Sequence, residues 1–355
     1  MRPLHIARNV MRALVLAAVF VGTLEACARI DDYLRYGAPI LATYGPERLR
    51  TITPDGLPAN VPGARFEKWE NNEFGFRGPP VARSKRPGVV RVAVMGTSES
   101  YGLYEDPGHE WPALLDSALS RGGDFEVLNA SVVGLSFQHY RRYIRERVAP
   151  LAPDRVVLLV NPYGYVQSVR NLERERRAVM PSSQRRPGAQ HPARFSPRIA
   201  TKLASTVRRA VPARVLAKIL VWRKQRRIAA LERAHLAGTQ PVDSMPPAYA
   251  ERFSADLDSL VRAVRSLGME PILCTYPGLL SEAGTPEVQD ACLDRRTYLI
   301  EYSCAGLVDI ARQLNQETRE FGEEHDLPTI DLDVVVPKDR SEERRVGKEC
   351  RSRWS

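Results

Sequence analysis

"VVRVAVMGTSESYG", Val89–Gly102, decides how this chain is read. Val89–Met95 is short, β-branched and largely apolar, as a strand covered on both faces should be. The run ends at Gly96, and Ser98 follows among small residues. That is where a hydrolase places a nucleophile. A serine hydroxyl alone is inert at neutral pH, so its base must be found as well.

Working outward, the same alternation recurs. "FEVLNAS", "DRVVLLVN", "EPILCTYP" and "LPTIDLD" read as four further strands. Between them, "EWPALLDSALS", "QHYRRYIRERVAPL", "ERFSADLDSLVRAVRSLG" and "GLVDIARQLNQETREFGEEHD" carry helical spacing, with Gly268 closing the third. Buried strands separated by helices predict an α/β fold with a doubly wound parallel sheet of about five strands. In such sheets the site lies at the carboxyl ends of the strands. Ser98, Gly134 and Asn161 all fall just beyond strand ends.

The chain has 355 residues, 43% of them hydrophobic, and a net charge of +10. The charge is uneven. From Arg170 to Arg233, basic residues outnumber acidic ones 18 to 3, and outside this segment and the basic C-terminal tail the chain is acidic. A single basic block on an acidic body argues against a nucleic-acid binder. Residues 170–197 read as a loop. "IATKLASTVRRAVPARVLAKILVWRKQRRIAALERAHL" reads as two amphipathic basic helices hinged at Pro212, with Leu216, Ile219, Leu220 and Trp222 along an apolar face. Two readings stay open for this insertion: a solvated cover on the sheet, or a contact with anionic lipid headgroups.

Arg2, Arg8 and Arg12 precede "ALVLAAVFVGTL", and Glu25 interrupts the apolar run. A signal anchor, a lipoprotein signal ending at Cys27 and a cleaved signal peptide all fit, and each sends the body across the membrane. The five cysteines show no zinc spacing, and neither metal nor cofactor is expected. Cys292 and Cys304 can pair if the body is extracytoplasmic; free thiols are the alternative. The chain then divides into an anchor or signal (1–30), a linker and extension (31–88), a first catalytic part (89–165), the basic insertion (166–247), a second catalytic part (248–339) and a tail (340–355).

"VAVMGTSESYG" resembles the first block of the SGNH/GDSL hydrolases, and "VLNASVVGLS" resembles the second. "NEFGFRG" (Asn72–Gly78) and "EWPALL" are similar to flanks of membrane-anchored members. The resemblance implies that Ser98 is the nucleophile, with its own N–H as one oxyanion donor and the Gly134 N–H as another. The aspartate usual before the serine is Thr97 here. In "NPYG" the family's asparagine position holds Tyr163, and Asn161, two residues earlier, is either a shifted oxyanion donor or a structural turn residue. The resemblance also implies an Asp-x-x-His after the fifth strand, and none is present. Asp331 and Asp333 are expected to hold the loop there.

The tail "RSEERRVGKECRSRWS", Arg340–Ser355, resembles translated sequencing adapter, so the native sequence is expected to diverge near Asp339 and the catalytic Asp and His to be missing from this chain. Loss of a triad histidine costs on the order of 10⁶ in kcat, so the chain as written is expected to be nearly inactive. Asp106 and His109 show the Asp-x-x-His spacing by coincidence, in a loop. His139 and His325 read as structural or surface residues, and His5, His191 and His235 lie in the anchor and insertion. The function implied is a membrane-tethered serine esterase acting on an O-acyl ester, an acylated carbohydrate or another small ester. The rivals are an O-acetyltransferase of an exported polysaccharide and a catalytically degenerate binding member.

Overall fold

The computed structural model describes residues 2–177, 197–236, 238–278, 280 and 286–336. The apolar N-terminal run forms one helix, α1 (Arg2–Tyr36). Its segment Met11–Tyr36 is long and apolar enough to cross a membrane, with a mean hydropathy of 1.9 over its most apolar window. Residues 46–78, within the expected linker, fold into two small antiparallel sheets. One pairs β1 (Arg50–Ile52) with β2 (Pro58–Asn60), the other β3 (Arg65–Phe66) with β4 (Trp69–Glu70). Leu57 and Phe76 join the main core, and Trp69 packs in a smaller cluster with Leu49, Tyr101 and Leu103, so this segment is fastened to the body.

The body is built on β5 (Val90–Met95), α2 (Ser98–Tyr101), α3 (Trp111–Leu119), β6 (Phe125–Asn129) and a composite helix from Phe137 to Leu151. That helix is α-helical only for α4 (Tyr140–Tyr143); a π stretch and a 3₁₀ turn come after it. Tyr140, Tyr143, Ile144, Val148 and Leu151 nevertheless all face the core. Pro150, which has no N–H to donate, falls in its last turn. Next come β7 (Arg155–Leu159) and α5 (Pro162–Arg177), then α6 (Arg198–Ala210), α7 (Ala213–His235) and α8 (Pro247–Ser266). β8 (Glu270–Cys274), α9 (Pro286–Arg296), α10 (Cys304–Glu324), β9 (Thr329–Ile330) and α11 (Leu332–Val335) complete the order.

The five strands pair in the order β6-β5-β7-β8-β9, every pair parallel. The expected α/β doubly wound sheet is therefore present. β5, β7 and β8 are the inner strands, and Val92–Met95 and Val156–Leu159 are buried among helices on both faces. This explains their unbroken apolar character. Arg91 is the exception and is fully buried: its guanidinium donates to the carbonyls of Ala82, Arg83 and Leu151 and pairs with Glu126 at 2.6 Å. One side chain thus ties the chain entering the sheet to the end of the composite helix.

Of two expectations for the insertion, one holds and one does not. Pro212 does cap a second helix as read from sequence. But residues 170–177, expected in a loop, continue α5. Val166 and Val169 bury one side of that helix, and Arg170 pairs with Glu301, so tertiary contacts hold a segment whose composition looked solvated. Residues 178–196 of the expected loop, and the tail 340–355, lie outside the described residues. Cys292 and Cys304 form a disulfide that staples α9 to the start of α10, with Cα atoms 5.6 Å apart.

β9 has two residues and sits at the sheet edge, so side chains must fix the loop that leaves it. Thr275 donates to Asp331 at 2.7 Å, the Asp333 N–H donates back to Thr275, and Arg319 bridges both aspartates. Asp331 and Asp333 thus hold this loop as expected. The Arg319 hydrogen bond, helped by Thr275 and opposed by burial, keeps the Asp331 carboxyl below its ordinary value of 3.8. A depressed carboxylate contributes stability that is complete above that ordinary value and is lost as pH falls through the lower folded value. Arg319→Met should therefore lower the melting temperature at neutral pH, with the gap to wild type narrowing below about pH 4. Thermal unfolding across an acid pH series checks this.

Candidate active site

The site begins with a sharp turn. β5 ends at Met95, and one turn of helix starts at Ser98. Gly96 allows this: a Cβ there would overlap the Ser100 side chain and come within 3.3 Å of the Leu159 carbonyl. Ser98 is left half-buried at the carboxyl end of the sheet.

α2 is too short to satisfy its own carbonyls, and its neighbours do so. Asn129, at the end of β6, donates to the Ser100 and Tyr101 carbonyls. Arg77, in the "NEFGFRG" stretch, donates to those of Tyr101, Gly102 and Glu105. Arg77 also faces Glu110 at 3.6 Å, both side chains almost wholly buried. Tyr101 donates to Asn71 at 3.0 Å, and burial pushes its phenol up to about 12. The N-terminal extension is thus the floor on which the serine turn rests.

The second strand end lies alongside. The Val132 N–H donates to the Gly96 carbonyl at 3.2 Å. This brings the chain leaving β6 against the turn that carries Ser98. Gly134, two residues on, is exposed with φ +75°, a conformation that favours glycine. Arg50 holds the carbonyl before it, donating to Val133 at 3.0 Å.

Asn161 begins the chain after β7. Its Oδ1 accepts the N–H groups of Tyr163 and Gly164 at 3.0 and 3.1 Å, which caps α5. Its amide nitrogen donates to Glu99 at 2.6 Å.

Glu99 was not anticipated from sequence and gathers the site. Its Oε2 accepts the Thr97 hydroxyl at 2.5 Å and the Ser98 hydroxyl at 3.2 Å. Its Oε1 accepts the Asn161 amide and, at 3.1 Å, the phenol of Tyr276 beyond β8. Arg295 of α9 stands 3.5 Å from the same oxygen, donates to the Tyr276 phenol at 2.8 Å and lies over the Tyr163 ring at 4.9 Å. Asn315 of α10 holds Tyr276 through two bonds to its backbone. Three strand ends and a distant helix therefore meet at one carboxylate.

No histidine among the described side chains bonds to Ser98. His109 contacts Pro107, His139 contacts Gln138, His235 contacts Leu231, and His325 contacts Phe321 while stacking on its ring. Burial lowers the His139 pKa. His191 lies outside the described residues. The site as described can orient a serine hydroxyl and bind polar groups, and the Ser98 proton is presented to a carboxylate.

No family model matches the chain, and no curated protein matches it. Among solved structures, the chain is similar to the acetyl xylan esterase AlAXEase at 14% identity, covering 69% of this chain and 78% of that one, with a TM-score of 0.35. It is similar to a variant of Axe2, an acetyl xylan esterase from Geobacillus stearothermophilus, at 14% identity, 72% and 83% coverage and a TM-score of 0.34. A third likeness is to a lipase/acylhydrolase from Enterococcus faecalis, at 12% identity, 74% and 93% coverage and a TM-score of 0.35. Likenesses this distant carry no chemistry. What fold and site define is a parallel α/β protein with a serine at the end of an inner strand.

The Arg77–Glu110 pair gives the site a measurable foundation. Arg77→Met leaves Glu110 buried without its partner and should cost about 3–5 kcal/mol, whereas Arg77→Met/Glu110→Leu should recover part of that loss. Chemical denaturation of the two variants checks both effects.

Proposed function

We propose that this chain is a serine-dependent acyl-ester hydrolase of the SGNH type, tethered to a membrane by α1, with its body outside the cytoplasm. One observation carries the reading: Ser98 stands half-exposed at the end of an inner parallel strand, with the chain leaving β6 held against its turn. Ser98 Oγ attacks the ester carbonyl, and the Ser98 and Gly134 N–H groups stabilise the oxyanion. The base takes the serine proton and returns it to the leaving alcohol; water then releases the acyl group by the same steps in reverse. By resemblance that base is the histidine of an Asp-x-x-His block. Asn161 holds Glu99 and caps α5, so a role as oxyanion donor requires its amide to be released when substrate binds.

The polar surroundings of Ser98 suit an ester on a polyhydroxylated carrier. Glu99, Asn161 and Tyr276 offer acceptors and donors to sugar hydroxyls. The Cys292–Cys304 disulfide supports an oxidising compartment. Glu25 supports an uncleaved anchor: it accepts the N–H groups of Arg198 and Ile199, and lipoprotein processing at Cys27 would remove it.

A second reading is favoured by Glu99 itself. A carboxylate on the serine hydroxyl opposes a developing oxyanion, which suits a member that binds acylated glycan without turning it over. An O-acyltransferase shares the first half of the hydrolytic path and passes the acyl group to sugar in place of water. Hydrolysis of an aryl acetate and of an acetylated oligosaccharide, by protein expressed from a reading frame that carries the Asp-x-x-His block and with and without a glycan acceptor, separates the three. The hydrolase reading expects turnover insensitive to acceptor that falls at least about 10³-fold in Ser98→Ala. Acyl transfer to the acceptor would favour the transferase. Equal background rates in wild type and Ser98→Ala, with glycan binding weakened by Glu99→Gln, would favour the binding protein.

A further inference from the structure

We propose that α7 is an interfacial helix that lies on anionic phospholipid beside the point where α1 leaves the bilayer. The inference rests on α1 being the anchor and is independent of the chemistry at Ser98.

The first support is where the insertion is fastened. α6 begins on the C-terminal third of α1. Glu25 accepts the N–H groups of Arg198 at 3.1 Å and Ile199 at 2.9 Å, in effect capping α6 with a side chain from another helix. Lys202 pairs with Asp32 at 2.8 Å and with Asp31. Arg198 donates to the carbonyls of Pro39 and Ala42, just past the end of α1, and lies over the Tyr44 ring. The charges that interrupt the apolar run are thus the socket for the insertion. α6 is one short helix, about 20 Å long, and α7 starts after only Val211 and Pro212. α7 cannot stray far from the base of the anchor.

The second support is what α7 presents. One side faces the body: Lys224 pairs with Asp290 and Asp294, Ile228 is buried, and Glu232 pairs with Arg296. At 100° per residue, Val215, Ile219, Trp222 and Arg226 fall on the opposite side. Val215, Ile219 and Trp222 are 48%, 43% and 53% exposed. The Arg226 guanidinium covers the Trp222 ring at 4.9 Å. Lys218 and Arg223, both exposed, flank the stripe on either side. Leu203 of α6 is exposed as well, at 55%.

An outward apolar stripe with a tryptophan and cationic margins is unfavourable in water. It fits the boundary between headgroups and acyl chains, where the indole is half-immersed and the cations meet phosphate. A soluble protein partner would also cover apolar surface. The net positive margins and the seat beside the anchor point to the anionic membrane instead.

The test uses the full chain reconstituted in vesicles, with Trp222→Phe subtracted to isolate one indole. Brominated acyl chains should quench a Trp222-dependent fluorescence. Quenching should be at least about twofold stronger with phosphatidylglycerol than in purely phosphatidylcholine vesicles, and should fall in high salt and in Lys218→Glu/Arg223→Glu. Co-flotation of every variant with the vesicles reports the anchor separately. A chain that floats but shows no Trp222-dependent quenching, or the same quenching whatever the lipid charge, would overturn the proposal and leave a protein partner for the stripe.

Discussion

Everything at the site depends on a close approach of backbone at Gly96. β5 passes into α2 within three residues because nothing projects from position 96 into Ser100 or the Leu159 carbonyl. The turn is then held from two sides. Val132 bonds to it from the chain leaving β6, and Arg77 and Asn129 supply the donors that a one-turn helix lacks. A serine can thus sit at the rim of a buried strand without leaving unsatisfied carbonyls beneath it. The extension before the sheet is part of this arrangement, since Arg77 and Asn71 both come from it.

Range in sequence decides how much of this was legible. β5, β7 and β8 could be read because strands inside a parallel sheet are apolar on both faces, and β9 because an apolar run comes directly after a long amphipathic helix. α5 could not. Its last turns, "ERERR", look solvated, and only the burial of Val166 and Val169 and the Arg170 pair with Glu301 carry the helix on. Ser98 and Gly134 could be placed at strand ends by counting. Glu99 was adjacent to the serine in "GTSES" and could have been weighed as a polar residue at a strand end. Tyr276 and Arg295 had no such signal, because their roles come from the approach of β8 and of a helix almost two hundred residues away in sequence.

The basic insertion reads differently once its pairs are known. Its positive charge is divided between two tasks. Arg198, Lys202 and Lys224 are spent on carboxylates of α1 and α9, which fasten the insertion to the anchor and the body. Lys218, Arg223 and Arg226 remain on the outer side of α7. Glu25, awkward in a signal sequence, is accounted for by the helix it caps. The Cys292–Cys304 staple and the Lys224 pairs act on the same helix, α9, which also carries Arg295 to Glu99. Insertion, disulfide and site are therefore mechanically continuous.

The central claim is that the hydroxyl at position 98 is chemically a nucleophile and more than a ligand of Glu99. The most direct measurement is labelling of the protein, expressed from its complete reading frame, with a fluorophosphonate probe, followed by mass mapping of the adduct. The account predicts one phosphonylated site, at Ser98, and no adduct in Ser98→Ala. An unlabelled wild-type protein, or an adduct that persists unchanged in Ser98→Ala, would contradict it.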